Sequence, residues 1–242
     1  MRPRRIILPN DSMTHIIFRC HNRQLLFKEN EVKDYILLLW AKYKRRYGLK
    51  IFEFIIMDNH CHLLARARSA EALGHFMRNV NSQIARYVNK RNHRDSQVIR
   101  ERYRSPLISS HDYALKTMQY IWLNRHKVNQ SNPLFDPWCS VSWRHNPAII
   151  GRIARSEKER HLLRTLLDYD DVIYEKNVRR FVLNLLNDAL VRIREFVQGV
   201  YTHSHTIGDK ASVEFRATIL KAFRIEKNPW PGHISAFAVK LT

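Results

Sequence analysis

The chain has 242 residues, with 42 Lys and Arg against 22 Asp and Glu, a formal net charge of +20 and a pI near 10.3. Hydrophobic residues at 45% exclude a disordered chain, and no run of about 18 apolar residues is present to span a bilayer. Cys20, Cys61 and Cys139 are too few and too scattered for a disulfide framework or a thiolate zinc site. The length allows one sizeable core and a smaller second one, and the charge calls for a polyanionic partner, nucleic acid before a membrane surface. The basic start, MRPRRIILPND, has too short an apolar part for a signal peptide. A cytoplasmic, nucleoid-associated protein is expected.

The first element, THIIFRCHN from Thr14, is short, β-branched and roughly alternating, which predicts a strand. Val32, Tyr35, Ile36, Leu39 and Trp40 then recur at helical spacing, and Gly48 marks a stop. Leu49–Met57 reads as a second strand and HCHLLARA as a third, joined by a turn at Asp58-Asn59. Ser69 is a suitable N-cap for a second helix through Leu73, Phe76, Val80, Ile84 and Val88. RYRSPLISS predicts a fourth strand, and Asp112 is expected to cap a third helix, YALKTMQYIWLNRHKVNQ.

The order β-α-β-β-α-β predicts an α+β fold of the ferredoxin-like split β-α-β type, an antiparallel sheet with helices on one face. A first domain over residues 1–146 ends where Pro133, Pro137 and Pro147 interrupt regular structure. Residues 147–242 read as an all-α region of amphipathic helices, compatible with a helix-turn-helix.

The stretch FIIMDNHCHLLA carries the chemistry. On a strand His60 and His62 point to one face while Cys61 points to the other. Neutral imidazole is the commonest metal ligand, so a same-face pair is suited to two positions on one divalent ion. Two half-exposed histidines on a strand is the plainer alternative. His203 and His205 repeat the spacing without strand context and read as loop residues. In the third predicted helix Tyr120 and Asn124 are four residues apart and share a face. If that face packs by the central strands, the Asn124 amide completes a metal site and Tyr120 stands beside it; if not, Tyr120 is a core aromatic.

Together these residues resemble a family. FIIMDNHCHLL is similar to the MPNHxHLL signature of the HUH single-strand transposases, and HIIFRCHNRQLLF and VIRERYRSPLISSHDYALKTMQYIWLNRHKV resemble the flanking segments of the REP-associated tyrosine transposases. The match spans about Thr14 to Trp143. Asp58 replaces the usual Pro before Asn59, Cys61 replaces a larger apolar residue, and Arg125-His126 replace Pro-Val after Asn124.

The resemblance implies a metal-dependent enzyme that cleaves and rejoins single-stranded DNA at hairpin ends through a 5′-phosphotyrosine. Tyr120 would be the nucleophile, with His60, His62 and Asn124 as ligands of Mg²⁺ or Mn²⁺. Tyr87 is the competing tyrosine, but Arg91 stands four residues on and cannot bind a metal. Relatives act as monomers or homodimers. The DNA would be held by Arg2, Arg4 and Arg5, by Lys42, Lys44, Arg45 and Arg46, by Arg86, Lys90, Arg91 and Arg94, and by Arg100, Arg102 and Arg104 around Tyr103, whose ring is suited to stack on a base. A basic regulator without catalysis, and a nuclease that uses water, are the rival readings.

Overall fold

A computed structural model of the protein describes residues 8–100, 102–125, 128 and 132–168. Strand β1 (Ser12–Arg19) leads to helix α1 (Asn30–Arg46), then β2 (Leu49–Ile56), β3 (His60–Ala67), α2 (Ala70–Arg91) and α3 (His111–Leu123). The sheet order is β1-β3-β2, with both pairs antiparallel. This is the expected ferredoxin-like split β-α-β topology.

Period-2 alternation divides the sheet into two chemically distinct faces. Ile16 and Phe18 of β1, Ile51, Phe54 and Ile56 of β2, and Cys61, Leu63 and Ala65 of β3 point into one core. There they meet Ile36 and Trp40 of α1 and Phe76, Val80 and Ile84 of α2. The α1 helix stops at Gly48, which adopts a φ of 62° that an L side chain rarely tolerates. At the start of α2, Ser69 accepts a hydrogen bond from the Ala72 amide, as expected of its cap.

Two expectations need correction. The third helix is capped by Ser110, which accepts from the Tyr113 amide, and Asp112 sits inside the first turn instead. The fourth strand is broken. Residues 98–100 and 102–108 run antiparallel along β1, exchanging bonds between Ile17 and Arg104 and giving the Pro106 carbonyl to His15. Pro106 has no N–H to return, so the ladder is reduced to isolated bridges.

The placement of α3 also differs from a sheet with every helix on one face. The residues contacted by α3 are Glu53, His15 and His62, which alternate with the core positions and so lie on the face opposite α1 and α2. A bulge makes this possible. The β2–β3 register shifts between Ile51 and Glu53, and the extra residue Phe52 turns Glu53 to the α3 side while Phe54 and Ile56 stay in the core. Buried Glu53 accepts from Trp122 Nε1 at 2.6 Å, is paired with Arg144 at 3.1 Å, and is bonded by the Ser140 hydroxyl.

Downstream, α4 (Ser140–His145) packs against β2, and α5 (Ile150–Ile153) leads to α6 (Glu157–Arg164), which packs on α1. The core does not end at residue 146: Ile149, Ile150, Ile153, Leu163 and Leu166 join the same buried cluster. The division of the chain falls between Val178 and Arg179. The helices expected beyond residue 168, and His203 and His205, lie outside the described residues. No helix among the described residues is long and apolar enough to cross a membrane.

Candidate active site

The face of the sheet toward α3 collects polar side chains that the core face lacks. His62 is wholly buried in mid-sheet, His60 is partly exposed at the β3 start, and Cys61 between them points into the core. Across the ladder Ile17 is opposite His62 and Arg19 is opposite His60. His15 lies on the same face and its Nε2 is 2.9 Å from His62 Nδ1, with the rings stacked at 5.1 Å.

Asn124, the last turn of α3, reaches the same place. Its Nδ2 is 3.4 Å from His62 Nε2, and its amide also touches His60. One turn earlier, the Tyr120 ring is 5.4 Å from the His62 ring and 5.9 Å from that of His15. Tyr120 is 41% exposed, so it is open both to solvent and to the buried histidines. An open cleft of about 320 Å³ beside it is lined by His15, Tyr113, Lys116, Thr117 and Tyr120. The structure therefore brings His60, His62, Asn124 and Tyr120 together from two elements of one chain.

Tyr87 is elsewhere. It stacks on Tyr35 at 4.2 Å between α2 and α1, behind the sheet from the histidines.

Burial sets the protonation of the histidines. It lowers the pKa of His15 to about 4, and that of His60 to about 4, with Arg19 and Arg125 adding to the effect. His62 falls to about 2, from burial first and then from His60, His15 and Arg19. All three are neutral near pH 7, the state in which imidazole offers a lone pair. His60 Nδ1 is bonded to Asn59 Oδ1 at 2.6 Å. A carboxamide oxygen only accepts, so this contact favours the tautomer with the proton on Nδ1, while the contact with Asn124 raises the His60 pKa against the lowering by burial.

No three His, Cys, Asp or Glu side chains among the described residues are arranged to hold a metal. Two neutral imidazoles and a carboxamide nevertheless fit a divalent cation as donors, with Asn124 as the third.

The departures from the family pattern compensate one another. Asp58 lies 2.7 Å from Lys33 and 3.5 Å from Arg125. Burial raises its carboxyl pKa, but these two cations outweigh that and hold it below the ordinary range. Arg125 is also paired with Asp136 and donates to the Ile56 carbonyl. Two positions that are usually Pro thus form an ion pair that ties the histidine turn to the end of α3.

The basic residues separate into groups. Lys42, Arg45 and Arg46 on α1 and Arg86 and Lys90 on α2 are exposed, on the helices across the sheet from the histidines. Arg91 is exposed but engaged with Glu29 and Glu31. Arg94 donates to Ser96 and Gln24. Arg100, Arg102 and Arg104 are exposed along the β1 edge. One expectation fails. Lys44 is buried, with its ammonium on the Leu166 carbonyl and Asp168, so it is a packing cation and not a DNA contact. Tyr103 is half-buried against the core, which raises its pKa and leaves only part of its ring for stacking. Arg2, Arg4 and Arg5 lie outside the described residues.

His15, Arg19 and Lys116 surround the site and were not singled out from sequence. The signal was present in part: His15, Ile17 and Arg19 alternate on one strand, and Lys116 precedes Tyr120 by one helical turn.

Residues 10–124 match the family model of the IS200-like transposases. Among solved structures, the chain is similar to a REP-associated tyrosine transposase bound to a REP hairpin, at 16% identity and a TM-score of 0.47, covering 58% of this chain and 82% of that one. It is also similar to a protein of Deinococcus radiodurans described as a transposase, at 18% identity and a TM-score of 0.36, covering 55% of this chain and 99% of that one. No curated protein matches it in sequence.

Proposed function

We propose, from the match of residues 10–124 to the family model of the IS200-like transposases, that the chain cuts and rejoins single-stranded DNA at hairpin ends with Tyr120 as nucleophile. The observation that carries the reading is the position of Tyr120, a half-exposed phenol against the buried His62 and one turn from Asn124. Tyr87, stacked behind the sheet, has no such company.

The scissile phosphate is anionic and its leaving group poor. A Mg²⁺ or Mn²⁺ ion on His60, His62 and Asn124 would supply Lewis-acid stabilisation of charge on the phosphate and on the departing oxygen. The chain's own residues do the rest. Tyr120 attacks phosphorus: the bond from Oη to phosphorus forms as the bond to the 3′-oxygen breaks, the phenol gives up its proton, and the 3′-oxygen takes one up. The products are a 5′-phosphotyrosine and a free 3′-hydroxyl. The covalent link conserves the bond for rejoining to another 3′-hydroxyl without a nucleotide cofactor. Lys116, exposed on the Tyr120 face of α3, and Arg19, exposed beside His60, are placed to hold the phosphates on either side. Because all four groups come from one chain, one molecule suffices for one cut.

The test is a hairpin oligonucleotide, labelled at either end, incubated with Mn²⁺ and resolved under denaturing conditions. The 3′-side fragment should run as a protein adduct. Tyr120→Phe should abolish the adduct and leave hairpin binding within about twofold, whereas Tyr87→Phe should keep it. An adduct that survives Tyr120→Phe, or cutting that leaves no DNA on the protein, rules out this nucleophile.

A further inference from the structure

We infer that His15 is a positioning residue that fixes the tautomer of His62 and thereby aims its Nε2 lone pair at the metal position; the inference rests on the proposed metal site. The proton can be traced from the hydrogen bonds. With the Asn124 amide oriented as in the structure, its Nδ2 is 3.4 Å from His62 Nε2, which assigns Nε2 as the acceptor and puts the ring proton on Nδ1. That N–H meets His15 Nε2 at 2.9 Å, so His15 Nε2 is also an acceptor and its own proton is on Nδ1.

His60 reaches the same state by a different route, giving its Nδ1 proton to Asn59. Each proposed ligand is thus held through Nδ1 by one neutral acceptor. A metal-bound histidine usually gives its other N–H to a carboxylate, a carbonyl or water. An imidazole acceptor differs from a carboxylate in that it fixes the ring without adding negative charge to a pocket that must admit a phosphate. Burial makes His15 effective here. It is 7% exposed, stacked on His62 and in edge contact with Tyr120, so little room is left for water to replace it.

The experiment uses the full chain with His15→Phe and His15→Gln. Nitrogen-15 shifts of the His62 ring report its tautomer without metal, and the free Mn²⁺ resonance signal reports affinity. The wild type should show His62 protonated on Nδ1. His15→Phe, which keeps a ring but no acceptor, should lose that preference and bind Mn²⁺ about 10–100-fold more weakly. His15→Gln, whose amide oxygen accepts, should recover most of both. A folded His15→Phe protein with the wild-type tautomer and affinity overturns the inference. Should the wild type bind no Mn²⁺, the metal reading falls with it. A wild type that binds Mn²⁺ and loses it in His60→Ala, while His15→Phe stays unchanged, overturns only the role of His15.

Discussion

His60 and His62 are held neutral by burial, and this has a measurable cost in acid. An unfolded histidine takes up a proton near pH 6.5, whereas His15 and His60 resist to about 4 and His62 to about 2. Between those limits the unfolded chain binds more protons than the folded one, so stability is complete above pH 6.5 and falls as the pH drops through 4. In EDTA, the melting temperature should therefore be lower at pH 5 than at pH 7.5, and His62→Gln should reduce the difference. A melting temperature that is flat across this range, or higher at pH 5, contradicts the assigned protonation. The proposed ligands were legible from sequence because strand alternation puts i and i+2 on one face. His15 was not: its relation to His62 depends on strand register, and register is a long-range property.

Helix α3 is placed by one buried carboxylate. The bulge at Phe52 presents Glu53 to Trp122, and Arg144 and Ser140 complete its partners. Replacing Glu53 with Ala removes a carboxylate paired with a buried guanidinium and should destabilise the fold by about 3–5 kcal/mol, read by urea unfolding. The milder Glu53→Gln should retain the fold but lower adduct formation more than hairpin binding, since Tyr120 and Asn124 ride on the same helix. A loss of binding equal to the loss of cutting would show instead that Glu53 supports the whole domain indifferently. The elements themselves were largely readable. The helical stripe of α1, the Ser69 cap and the glycine stop at Gly48 are local chemistry. The bulge, the Ser110 cap in place of Asp112 and the interrupted fourth strand were not, because each is decided by what packs against the backbone.

On the scale of the whole molecule, residues 147–168 belong with the core of the first unit. Ile149, Ile150, Ile153, Leu163 and Leu166 are all buried in its core. At about 1.5–3 kcal/mol for each buried side chain, their loss is comparable to the entire stability of a domain, about 5–15 kcal/mol. Lys44 would also lose both its partners, Leu166 and Asp168. A protein ending at residue 146 should fail to give dispersed amide resonances, whereas one ending at Val178 should give them. A folded, active 1–146 fragment would contradict this. Sequence reading placed the boundary at the proline cluster because a change of local pattern is visible there, while the return of the chain to the core is not.

That return also closes the outer margin of β2. Its backbone groups are taken up one after another: Ile51 exchanges bonds with Asp168, the Phe52 carbonyl accepts from Arg144, the Phe54 amide donates to Ser140, and the Ile56 amide donates to the Trp138 carbonyl. Most of these partners are side chains, so the pairing pattern stops with them. A neighbouring copy or a misfolded strand arriving at this border finds no row of vacant amides to zip onto. Self-pairing through this edge of the sheet is thereby blocked.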